Sequence, residues 1–79
     1  MSVRVLFFGA TADIAGKREI EIPVDLATTT EAALRDIVQR FPDMASHKLL
    51  ISINQDYATG GEIIRDGDEL AVFTPVSGG

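Results

Sequence analysis

Two-residue alternation marks both ends of this chain, and one helical stripe marks its middle. From Val3 to Phe8 the residues are β-branched, aromatic and apolar apart from Arg4, with Val3, Val5 and Phe7 on one side and Arg4, Leu6 and Phe8 on the other. Glu19 to Val24 alternates as cleanly, Ile20, Ile22 and Val24 inward and Glu19, Glu21 and Pro23 toward water. Pro23 has no N–H to give a neighbour, so this second strand is expected at a sheet edge, hairpinned to the first. Thr28 then offers an N-cap three residues before Glu31. Ala33, Leu34, Ile37, Val38 and Phe41 form one apolar stripe on the helix that follows, opposite Arg35, Asp36, Gln39 and Arg40. Pro42 ends the helix by pushing the preceding residue out of helical geometry. A polar connection from Asp43 to Lys48 leads into a third strand, Leu49 to Asn54, and Asn54 closes it into a turn. Thr59-Gly60-Gly61 and Asp66-Gly67 have turn chemistry, with Ile63-Ile64 a short buried anchor between them.

The last strand, Leu70 to Phe73, is apolar on both sides, with Leu70 and Val72 on one and Ala71 and Phe73 on the other. A strand of that kind is central in its sheet or keeps one face for a partner. The first strand carries a related signal. Arg4 assigns its side to water, yet Leu6 and Phe8 share that side, which makes them candidates for docking.

Three candidate sites lose to closer inspection. Gly9 to Arg18 places glycines after a strand and before Lys17, in the manner of a phosphate-binding loop. Six residues rather than four separate Gly9 from Gly16, Arg18 stands where Ser or Thr would hold magnesium, and a strand follows instead of a helix. Asp66, Asp68 and Glu69 suggest calcium, but an EF-hand needs oxygen ligands spread over about twelve positions between two helices. His47, the single histidine, sits in a loop without a second ligand type beside it and reads as solvated.

Composition removes most other chemistry. The chain has 79 residues, 46% of them hydrophobic, which suffices for one domain and one core. Its net charge of −5, without a Lys or Arg cluster, argues against nucleic acid and for a positively charged protein partner. No apolar run approaches the ~20 residues of a membrane span and no basic-then-apolar leader is present, so a cytoplasmic location without membrane contact is expected. The absence of cysteine excludes disulfides, thiolate metal sites and a cysteine nucleophile together.

What remains is the end of the chain. Thr74-Pro75 stops the ladder, and residues 74–79 can reach roughly 20 Å when extended. Gly78 and Gly79 lack Cβ atoms and make the slimmest backbone available, able to carry a terminal carboxylate through a channel too tight for side chains. Chance alone places two glycines there in about one chain in two hundred.

The order strand, strand, helix, strand, strand ahead of Gly-Gly resembles the β-grasp fold of ubiquitin-like proteins. Val5-Leu-Phe-Phe-Gly9, Ile53-Asn54, Asp66-Gly-Asp-Glu-Leu-Ala71 and Pro75-Val-Ser-Gly-Gly79 resemble the MoaD/ThiS sulfur-carrier family, in particular its molybdopterin synthase small subunits. The resemblance spans essentially the whole chain; Thr74 stands where the family usually has a first proline, and Gly9 where it commonly has alanine. It implies an α+β β-grasp domain over residues 1–73, a mixed sheet on one main helix, followed by a flexible tail, 74–79. It further implies that an adenylating enzyme of the ubiquitin-activating type uses ATP on the Gly79 carboxylate, and that a sulfur donor then forms a thiocarboxylate. The chain itself would bind no cofactor or metal and supply no catalytic side chain. By the same resemblance, the large subunit of molybdopterin synthase receives the tail, where the sulfur reaches a pterin precursor. In a β-grasp sheet the first and last strands are parallel neighbours, which makes Leu6, Phe8 and Phe73 the expected partner surface, continued by Pro75, Val76, Ser77 and Gly78. Alternatives are a sulfur carrier for thiamine thiazole synthesis, a modifier joined to lysines, and an interaction domain whose tail does nothing.

Overall fold

Residues from the two ends of the chain lie side by side at the middle of one sheet. The computed structural model describes residues 1–75; the expectations placed on Val76, Ser77, Gly78 and Gly79 lie outside the described residues. Strand β1 (Ser2–Phe7) pairs in parallel with the strand that ends the described chain, Glu69–Phe73, in a register of Val5 to Leu70, Leu6 to Ala71 and Phe7 to Val72. Between them in sequence come helix α1 (Ala10–Ala15), strand β2 (Glu19–Pro23), helix α2 (Thr30–Arg40), a 3-10 turn (Pro42–Ser46), strand β3 (Leu50–Ile53) and strand β4 (Asp56–Tyr57), so the last strand is β5. Among the described residues the sheet order is β2-β1-β5-β3-β4, with the β1–β5 pair parallel and the other pairs antiparallel. This is the expected β-grasp arrangement, and β2 with its Pro23 occupies an edge.

The alternation of the sequence sets the burial. Val3, Val5, Phe7, Ile22, Val24, Ile51, Leu70 and Val72 form the inner layer, packed with Ala33 and Ile37 of α2 and with Met44 and Ile64. Phe7 meets Phe41 edge to face, ring centroids 5.6 Å apart. Burying a side chain of this size contributes about 1.5–3 kcal/mol, so these residues hold the fold.

Several local expectations change. Gly9 to Arg18 is not an open loop: α1 lies within it, closed by Gly16 in left-handed geometry, whose N–H donates to the Ala12 carbonyl at 2.9 Å. Six residues are fewer than two turns, too short for a 3.6-residue repeat to show in the sequence. The α2 cap falls on Thr29 rather than Thr28: the Thr29 hydroxyl accepts from the Ala32 N–H at 3.2 Å, while Thr28 closes a separate turn with Asp25. Met44, placed in a polar connection, is fully buried because the 3-10 turn folds it under α2. Of the expected anchor pair only Ile64 is buried; Ile63 stays 48% exposed. A fifth strand also appears, β4, joined to β3 through Asn54 and Gln55, both at positive φ (49° and 73°). That is the pattern of a type I′ hairpin, but glutamine in place of the usual glycine hid it from sequence reasoning.

The start of α2 is tied to the loop after β4. Thr30 N–H donates to the Glu62 carbonyl at 2.9 Å and Glu31 N–H to the Gly60 carbonyl at 3.0 Å, which satisfies two of the helix's free donors. The Glu62 carboxylate accepts from the N–H groups of Thr59 and Gly60 and from the hydroxyls of Thr59 and Thr30. These bonds, the Thr59 N–H foremost, lower its pKa to about 2.

Candidate functional site

The outer face of β1 and β5 carries the residues that the inner face leaves over. Because Leu6 is paired with Ala71 and Phe7 with Val72, the next outward positions, Phe8 and Phe73, flank the same end of the two central strands. Phe8 is 53% exposed, while Leu6, Ala71 and Phe73 are half-buried. Together with Ser52, Thr74 and their neighbours they line a groove of about 620 Å³. Among the described residues no helix covers it, since α2 packs on the opposite face with Ala33 and Ile37 in the core. An apolar groove with an exposed phenylalanine at its edge is suited to receiving a partner's side chains.

The structure thus brings Leu6, Phe8 and Phe73 together as expected. Pro75 is exposed where the described chain leaves the end of β5. Sequence reasoning missed Tyr57. It stands on β4 at 75% exposure, its ring 5.9 Å from that of Phe73 and tilted by 53°, and it extends the aromatic surface toward the sheet edge. A lone aromatic among Asp56, Ala58 and Thr59 was the available signal, but without β4 it had no face to belong to.

The polar groups around this surface hold structure in place. Arg4 contacts Glu69 at 3.1 Å and Glu19 at 3.7 Å, an exposed arrangement of small net stabilisation. Of the acids Asp66, Asp68 and Glu69, Asp68 holds the turn before β5, while the Glu69 carboxylate accepts from Arg4. Asp68 accepts from Asn54 Nδ2 at 3.0 Å and from the Arg65 N–H at 2.8 Å, and Asn54 Oδ1 accepts from the Glu69 N–H at 3.0 Å. The Asn54 bond, then that of Arg65, holds the Asp68 carboxyl below its ordinary pKa. This network clamps the β3–β4 hairpin to the start of β5 and keeps Gln55 and Tyr57 beside the groove. Thr11 was also missed: a buried hydroxyl at the start of α1, bonded to Phe8 and to the Val72 carbonyl. Among the described residues no helix is long and apolar enough to cross a membrane.

Comparison with known proteins gives a consistent result. The model of the ThiS family matches residues 5–79. The molybdopterin synthase sulfur carrier subunit of Haemophilus influenzae is 36% identical over 81 residues, covering 98% of this chain and 99% of that protein. Among solved structures, SAMP1 from Haloferax volcanii aligns over 100% of both chains with a TM-score of 0.88 and 32% identity. A chain from the complex of subunits 1 and 2 of molybdopterin-converting factor from Helicobacter pylori aligns over 100% of both chains with a TM-score of 0.71 and 26% identity.

Proposed function

We propose a function from one premise: the chain belongs to the ThiS family. It is a sulfur carrier for molybdenum cofactor synthesis, and its working group is the carboxylate of Gly79. The observation that carries this reading is the position of the groove. Leu6, Phe8 and Phe73 form an apolar surface at the end of β5 that no described residue fully covers, and from there the sequence continues through Pro75, Val76, Ser77 and Gly78 to Gly79. A partner seated on that surface has the last residues of the chain within reach of its own active site.

The chemistry follows from what the chain lacks. Without cysteine, sulfur has no thiol on which to ride. A carboxylate is a poor electrophile, so an adenylating enzyme first joins the Gly79 oxygen to the α-phosphorus of ATP and releases pyrophosphate. A sulfide-level donor then adds to the acyl carbon and expels AMP, leaving a thiocarboxylate. Glycine has no Cβ to crowd either attack. In molybdopterin synthase the large subunit supplies the acid and base groups, and the thiocarboxylate sulfur passes to the pterin precursor. Leu6, Phe8 and Phe73 hold the carrier on its partner throughout, with Tyr57 beside them.

Mass spectrometry of the C-terminal peptide after incubation with ATP, an adenylating enzyme and a sulfur source tests the proposal. Exchange of one oxygen for one sulfur is expected. An unchanged mass, with an enzyme that thiolates a control carrier, defeats it. Offering the thiolated chain to the large molybdopterin synthase subunit and to a thiazole synthase separates the two carrier branches. The likeness to SAMP1 also favours a second reading, transfer of the activated glycine to lysines of other proteins; SAMP1 is described as a small archaeal modifier protein. Covalent adducts in an extract, with no thiocarboxylate formed, would select it.

A further inference from the structure

The last rung between β1 and β5 runs through a side chain. The Phe7 N–H points to the β2 side, donating to the Arg18 carbonyl at 2.8 Å, and Phe7 is paired with Val72. A regular parallel ladder would next join the Phe8 N–H to the Val72 carbonyl. The Thr11 hydroxyl stands between them: Oγ1 accepts from the Phe8 N–H at 3.1 Å and donates to the Val72 carbonyl at 2.7 Å. A hydroxyl has one proton to give, and the shorter contact takes it. The Phe8 carbonyl, 3.0 Å from the same oxygen, accepts from the Thr11 backbone N–H at 3.3 Å. Thr11 is 0% exposed, so water has no access to replace the hydroxyl.

We infer that Thr11 is a positioning residue for the docking face: by lengthening this one rung it holds the ends of β1 and β5 apart and sets the spacing of Phe8 and Phe73 across the groove. The purpose assigned to Thr11 rests on the sulfur-carrier reading; the geometry does not. Valine has nearly the same shape and would meet the packing requirement alone, so the hydroxyl is what threonine adds. It acts on the two places that matter for docking, the residue that carries the exposed ring and the residue just before Phe73. α1 delivers it there. Gly9, at φ 58°, turns the chain out of β1, and Thr11 is the second residue of the helix that follows.

Thr11→Val and Thr11→Ser separate the hydroxyl from the packing. In the free protein the valine methyl keeps the strand ends from closing onto a direct rung, and the Phe8 N–H loses its acceptor. Hydrogen exchange at the Phe8 amide, taken relative to Ile37 in α2 as a monitor of global opening, is expected to quicken at least about tenfold in Thr11→Val. With the large molybdopterin synthase subunit as the probe, the same variant is expected to bind about tenfold more weakly. Thr11→Ser, which keeps the hydroxyl, is expected to restore both. Unchanged relative exchange at Phe8 overturns the rung, and faster exchange with unchanged affinity overturns the positioning role. A serine variant that restores neither removes the hydroxyl from the argument. A wild-type chain that does not bind the large subunit defeats the carrier reading and the purpose assigned to Thr11, whereas the rung itself stands or falls on exchange in the free protein.

Discussion

The two faces of one sheet use the same strands for opposite ends. On β1 and β5 the inward residues Val3, Val5, Phe7, Leu70 and Val72 are at most 3% exposed, packed with α2 and its neighbours. Toward the C-terminal end of the same strands the outward residues Leu6, Ala71 and Phe73, with Phe8 just past β1, are also apolar, but nothing in the described chain covers them fully. Residue type therefore does not separate the core from the open face here. What separates them is that the one main helix packs on a single face, leaving the other apolar stripe available to a second protein.

The comparison predicts unlike consequences for substitutions at neighbouring positions. The largest effect is expected at Leu70, which is 0% exposed. Leu70→Ala removes core volume and should cost about 2–5 kcal/mol, read as a lowered denaturation midpoint; a midpoint like that of wild type would mean the inner face does not hold the fold. Phe73→Ala, three residues on, should keep the far-UV spectrum of the fold while weakening binding to the large molybdopterin synthase subunit by at least about tenfold in calorimetry. If affinity is unchanged, the outer face is not the interface.

Smaller effects test the supports. Thr29→Ala should destabilise the chain by about 1 kcal/mol through loss of the α2 cap, and Thr28→Ala by less; the reverse order in denaturant melts would move the cap back to Thr28. Glu62 is the pH-sensitive support. Its folded pKa of about 2 lies below the ordinary 4.5, so its contribution is fully present above 4.5, shrinks as pH falls, and is gone below about 2. Glu62→Gln should therefore be less stable than wild type near neutrality, with the gap narrowing on acidification through that window. A gap that stays constant with pH would mean the charge of Glu62 is not what the loop uses.

Much of the fold could be read directly. The alternation of Ile20, Ile22 and Val24 against Glu19 and Glu21, and the stripe from Ala33 to Phe41, reflect chain geometry that acts within a few residues, and the strands and α2 formed where it placed them. Pro23 marked the edge strand because a missing N–H is a local fact. The features that escaped were those whose cause lies elsewhere in the molecule. Met44 and Ile63 each belong to short segments without a repeat, and which one is buried depends on what passes above it. Tyr57 acquired a face only when β4 joined β3, and the role of the Thr11 hydroxyl depends on a carbonyl 61 residues away. Leu6 and Phe8 were recognised as surplus apolar groups, but their place beside Phe73 came from family resemblance and not from the local pattern.

By itself the sequence determined which residues could be buried, where the chain must turn, and that no cysteine is present to carry sulfur as a thiol. Those properties follow from side-chain chemistry and from the periods of helix and strand, which neighbours a few residues apart settle among themselves. The tertiary structure decided which apolar face stays open, and that Thr11 separates Phe8 from Val72. Those outcomes depend on the parallel pairing of the two ends of the chain and on the side to which α2 packs, and both arise only when distant segments meet.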